Sequence, residues 1–168
     1  MIGETNLATL LRQMTPHLHP ATFVFCTLPP EILKTLTIQP RCTFQEAEGM
    51  TLLVTQAEAE AQNWPYTYPC RQITLEIHSS LEAVGFLAAI TTALAAEGIS
   101  VNPVSAYYHD HLFVPVDQAE RRSPASKPSL PPINPPCCRK TGDAGVPTAV
   151  EDFHSAGWLS VTLAMANP

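Results

Sequence analysis

Basic residues are scarce: nine lysines and arginines against fifteen carboxylates give a net charge of -6 over 168 residues. Nucleic acid and anionic lipid surfaces both demand a basic footprint, so neither is an expected partner. Long hydrophobic runs are missing too. The longest, Phe86 to Ala96, is too short to span a bilayer and is broken by Thr91 and Thr92. At the N-terminus no basic stretch precedes an apolar core, so no signal peptide is read there and the expected compartment is the cytoplasm. The five cysteines include no CxxC pair and no metal-ligand spacing, with Cys26, Cys42 and Cys70 scattered and Cys137 and Cys138 adjacent. They read as buried or idle thiols. GxSxG, a Gly-rich phosphate loop and HExxH are likewise absent. No catalytic residue is therefore nominated, no cofactor is expected, and the chain reads as a non-enzyme.

A hydrophobic content of 45% is enough for a real core. Leu7, Leu10, Leu11 and Met14 recur at helical spacing and predict a short helix ending before Pro16. TFVFCTLPP reads as a strand stopped by two prolines, and the stretch from Glu31 to Gln39 gives no clear period. RCTFQEAEG and MTLLVT predict two strands meeting at Gly49. Gln56 to Asn63 suits a brief exposed helix, and WPYTYPC makes a boundary.

The segment from Arg71 to Val116 organises the rest. Ile73, Leu75 and Ile77 alternate with Gln72, Thr74, Glu76 and His78, which predicts a strand with one buried face. Ser79-Ser80-Leu81-Glu82 matches a capping box, so a helix is expected to begin there, carry Leu81, Val84, Leu87 and Leu94 on its inner stripe, and end at Gly98. Ile99 to Tyr108 is extended, with Pro103 tolerable only at an edge or a bulge. A tight turn is expected at His109-Asp110, followed by a strand with Leu112, Val114 and Val116 inward. This β-α-β-β order is most of a ferredoxin-like α+β fold, an antiparallel sheet with helices on one face. A further helix starts at Asp117 and fails at Arg121, where a proline-rich stretch begins. The expected division is an N-terminal unit over 1–66, a C-terminal unit over 70–120 that lacks its last elements, and a disordered tail over 121–168. The tail is read either as a divergent end or as a change of reading frame.

The run SSLEAVGFLAAITTALAAEGISVNPVSAYYHDHLFVP resembles the ACT domain, in particular a bacterial family of small, uncharacterised tandem-ACT proteins, and TFVFCTLP and TFQEAEGMTL resemble that family's first half. It is similar also to the ACT domains of cytosolic arginine sensors, which carry a comparable LxxVGF stretch and an aspartate at the hairpin. The resemblance implies a regulatory or sensing module that binds a small molecule, usually an amino acid, without catalysis.

An amino acid needs donors for its carboxylate and acceptors for its ammonium. The helix start after Ser79 and Ser80 offers backbone N–H groups, and Gly85 allows close approach. The resemblance places Val84, Gly85 and Phe86 on the ligand side and matches Asp110 to the sensors' aspartate, which would take the ammonium. Tyr107 and His109 flank it on the hairpin. Each of these residues also has a structural explanation as a cap, a packing glycine or a turn residue. A metal on His109, His111 and His78 is disfavoured, since a third ligand is not secured. A homodimer formed through exposed sheet edges, with no ligand, is the alternative role.

Overall fold

The computed structural model describes residues 3–120. The expected tail over 121–168, with Cys137 and Cys138, lies outside the described residues. One six-stranded antiparallel sheet runs in the order β2-β3-β1-β4-β6-β5. Its strands are β1 (Thr15–Leu28), β2 (Cys42–Gln45), β3 (Met50–Thr55), β4 (Thr67–Glu76), β5 (Asn102–Ser105) and β6 (Asp110–Pro115). The helices are α1 (Leu7–Gln13), α2 (Gln56–Ala61), α3 (Phe86–Ala96) and α4 (Val116–Glu120), with a 3-10 turn at Pro30–Lys34. The α+β, ferredoxin-like reading of the sequence holds.

β1 is far longer than TFVFCTLPP suggested, because His17 and His19 interrupt the apolar signal but not the strand. Its first part pairs with β4 (Thr15 with Glu76, Leu18 with Ile73). A bulge between Leu18 and Thr22 follows, and the second part pairs with β3 from Phe23 with Thr55 to Leu28 with Met50. The bulge frees the His19 carbonyl from the ladder. The Arg71 guanidinium donates to it through Nε at 3.1 Å and Nη2 at 2.8 Å.

Two apolar clusters lie on the helical face. Leu10, Leu11 and Met14 of α1 pack with Ile73 and Leu75 of β4, Phe86, Ile90 and Leu94 of α3, and Leu112 and Val114 of β6. Val24, Cys26, Leu52, Val54 and Ala59 make the second, with Ile32 and Leu36 over it. The start of the chain therefore fills the core of its second half. Each side chain is placed by the two-residue alternation of the strands, and β3 and β6 share the same burial pattern.

The prediction of one buried face on β4 needs correction. Gln72 is 1% exposed and Thr74 7%, and the helix-free face holds its own cluster of Phe23, Leu53, Cys70 and Phe113. Phe23 and Phe25 meet Phe113 edge-on at centroid distances of 6.0 and 6.2 Å, and large neighbours on a curled sheet cover the small side chains between them. Burial pushes the Cys70 thiol up to about 12, so it packs as an inert hydrophobe.

Leu10 is fully buried against β4, α3 and β6 although it sits near the start of the chain. Leu10→Ala is expected to cost about 2–5 kcal/mol in urea unfolding. A loss below about 1 kcal/mol would mean that α1 does not belong to this core.

Candidate functional site

The helix expected at Ser79 does not begin there. α3 starts at Phe86, and residues 79–85 form an irregular loop between β4 and α3. Three causes are visible. The Ser79 hydroxyl, instead of capping, donates to Asp110 Oδ2 at 3.0 Å. Ser80 N–H is drawn to the Glu4 carbonyl at 2.9 Å, while Glu4 N–H donates to the His78 carbonyl at 2.9 Å, so the chain start runs parallel to the loop as a short bridge. Gly85, at φ +90°, then supplies a left-handed N-cap that carries no side-chain hydrogen bond. Leu81 and Val84, expected on the inner stripe, are 69% and 84% exposed as a result. A capping box does form elsewhere, where Thr55 and Glu58 close the start of α2.

The hairpin also differs. Its tip is Tyr107-Tyr108, closed by Ala106 N–H to the His109 carbonyl at 3.1 Å, and Asp110 is the first residue of β6. There it pairs with Leu75 on β4 and Ser105 on β5. Asp110 is 6% exposed, and its second oxygen accepts from the Ser105 hydroxyl at 2.5 Å. The carboxylate is thus fixed by two hydroxyls, one from each side of the site, and no cation is among its partners in the described residues.

These elements enclose a cleft of about 170 Å³ lined by Ser79, Ser80, Leu81, Ala83, Gly85, Phe86, Leu87, Ala88, Ser105 and Asp110. Ser79, Ser80, Gly85, Phe86 and Asp110 are brought together as expected. Val84 points away, Tyr107 is 64% exposed at the tip, and neither lines the cleft. His109 lies outside it, its Nδ1 3.1 Å from the Ile77 carbonyl, which ties the hairpin tip to the end of β4. His78 stacks obliquely on Tyr107 and Tyr108 at 6.3 and 5.3 Å. Among the described residues no group of three His, Cys, Asp or Glu side chains could hold a metal ion.

Sequence reasoning missed Ser105, whose role depends on cross-strand register, and Gly3. A Cβ at Gly3 would fall 2.5 Å from Ser80 N, so only glycine lets the chain start lie against the cleft loop. At the helix start the first bond is Ala89 N–H to the Gly85 carbonyl at 2.9 Å, which leaves the N–H groups of the first turn facing outward without a cap. A buried carboxylate and a positive helix end therefore face one small cleft.

A family model described as ACT domain matches residues 2–71, and a second with the same description matches residues 67–121. A solved Vibrio cholerae protein of unknown function, described as a possible transport protein, is 40% identical over 68% of this chain and 88% of its own, at a TM-score of 0.62. The chain belongs to the ACT domain family. A solved Agrobacterium tumefaciens protein shares the fold at 12% identity and a TM-score of 0.52, over 64% of this chain and 82% of its own. The regulatory subunit of aspartate kinase from Thermus flavus aligns at 11% identity and 0.46, over 63% of this chain and 90% of its own, a likeness that bears no argument. No curated protein matches. ACT domains are small-ligand regulatory modules rather than catalytic ones. No helix among the described residues is long and apolar enough to cross a membrane.

Gly85 combines a positive φ with close packing, since an added Cβ would meet Leu7 Cδ2 at 3.3 Å. Gly85→Ala is expected to destabilise the protein by about 1–3 kcal/mol in chemical denaturation. An unchanged midpoint would show that the left-handed cap is not needed to start α3.

Proposed function

We propose that this ACT protein is a regulatory module that binds a free α-amino acid in the cleft between the 79–85 loop, the start of α3 and Asp110, and that it catalyses nothing itself. The observation that carries the reading is the pairing of opposite requirements at one small site. Asp110, 6% exposed and held by two hydroxyls, is an acceptor for an ammonium. The uncapped first turn of α3 offers donors to a carboxylate. A cleft of about 170 Å³ is small beside the roughly 300–1,000 Å³ of pockets for drug-sized ligands, which suits a single amino acid. Ser79, Ser80, Gly85 and Phe86 complete the site, with Val84, Tyr107 and His109 in outer positions that a closing loop or hairpin tip would bring nearer.

In this reading two ACT units, 1–66 and 70–120, share one sheet and trade segments, because α1 and the first part of β1 serve the second unit. The protein works in the cytoplasm as a homodimer. A dimerisation module without a ligand is the second reading, favoured by one observation: Phe44 on the edge strand β2 is 67% exposed, and an open edge invites pairing.

A thermal-shift screen of the full chain against the free amino acids tests the first reading. At a concentration about a hundredfold above Kd one of them is expected to stabilise the fold by about 2.7 kcal/mol, a rise of about 10 °C. Asp110→Asn, which keeps the shape and removes the charge, is expected to abolish the rise. A flat screen, together with a dimer by light scattering whether or not amino acids are present, would favour the second reading.

A further inference from the structure

The lining of the Asp110 cleft is divided. Its polar part consists of Asp110 and three serines, and each serine hydroxyl is already engaged inside the protein. Ser79 and Ser105 donate to the two Asp110 oxygens, and Ser80 accepts from Glu82 N–H at 3.2 Å. Among the described residues Asp110 is the one charged side chain in the lining, and no basic side chain joins it. Glu82 sits on the loop but outside the lining. Glu4, whose backbone bridges to the loop, directs its carboxylate to Thr5 N–H at 2.8 Å and Asn6 N–H at 2.7 Å.

Apart from Gly85, the rest of the lining is apolar side chains: Leu81, Ala83, Phe86, Leu87 and Ala88. Phe86 is 3% exposed and belongs to the core beneath α3, and Ala83 and Leu87 pack against that core from outside. Leu81, on the loop, is 69% exposed. Loop and helix thus present hydrocarbon to the same small space. With the ammonium of an amino acid on Asp110 and its carboxylate at the first turn of α3, both charges common to every amino acid are met. Nothing charged is left for the side chain. A cationic one would find no second carboxylate in the lining, and an anionic one would find no cation and would lie near Asp110. A polar one would leave its groups against apolar atoms. What remains is the burial of methylene groups against Leu81 and Leu87.

We propose that the cleft selects amino acids with an apolar side chain, and that Leu81 is the specificity-determining residue, meeting the ligand's hydrocarbon from the loop side. This rests on the reading of the cleft as an amino acid site and adds which members of that class it takes. The late start of α3 leaves Leu81 on the loop instead of on the helix's inner stripe. There it is covered when a side chain occupies the cleft.

The test is a calorimetric titration of the full chain with glycine, valine, leucine, glutamine, glutamate and lysine, each as the free amino acid. The tighter of valine and leucine is expected to bind at least about tenfold more tightly than glycine, which lacks the methylenes, and than the three polar ligands. Leu81→Ala, at an exposed position, is expected to keep the fold and weaken that ligand by about tenfold. Leu81→Met, which keeps the apolar volume, is expected to restore it. Glycine, glutamine, glutamate or lysine binding as tightly as valine and leucine would overturn the inference and leave the amino acid reading standing. So would an affinity unchanged by Leu81→Ala. Binding by none of these ligands overturns the inference too, and the full thermal-shift screen then shows whether the reading beneath it falls as well.

Discussion

The antiparallel pairing of β1 with β4 is the contact on which the rest of the molecule depends. It runs from Thr15 with Glu76 to Phe25 with Thr67 and joins two three-stranded halves into one sheet. Because β1 begins against the second half and ends against β3, the first turns of the chain are carried into the core beneath α3. The Leu18–Thr22 bulge lets one strand serve both halves, and the Arg71 guanidinium satisfies the carbonyl that the bulge exposes. Without this pairing, Glu4 would not lie along Ser79, and the cleft loop would lose one wall.

The two halves repeat a plan but not a site. β3 and β6 have the same alternation and each leads into a short helix. Where β6 opens with Asp110, β3 opens with the buried Met50, each paired to the last residue of the preceding edge strand. Where the second half has the eleven-residue α3, the first has only the five-residue 3-10 turn Pro30–Lys34, which begins at a proline. In the second half a buried strand carboxylate faces a helix start, whereas in the first half the carboxylate at a helix start, Glu58, is used up in the capping box of α2. The cleft at Asp110 therefore has no counterpart at Met50.

Much of the fold was legible because strand alternation and short-range helix signals are local. The β-α-β-β order, Pro103 on an edge strand and the helix end at Gly98 all came from neighbours in sequence. Misreadings arose where distant residues set the outcome. Ser79-x-x-Glu82 has the letters of a capping box, as Thr55-x-x-Glu58 does, but Asp110 and Glu4 claim its hydroxyl and backbone. Gln72 and Thr74 look like solvent-facing residues until β1 and β6 close around them with Phe23 and Phe113. The site residues Ser79, Ser80, Gly85, Phe86 and Asp110 converge, while Val84, Tyr107 and His109 stand outside because the helix starts six residues late and the turn comes two residues early. Their common neighbourhood was visible in the sequence, but their orientation was not.

The central claim is that the cleft holds an amino acid with its ammonium on Asp110 and its carboxylate at the start of α3. A crystal structure of the full chain grown with pooled free amino acids tests it most directly. The account predicts density in the cleft, with a nitrogen within hydrogen-bond distance of the Asp110 carboxylate and a carboxylate against the first-turn N–H groups of α3. A cleft holding only water, or an amino acid bound elsewhere on the chain, would contradict it.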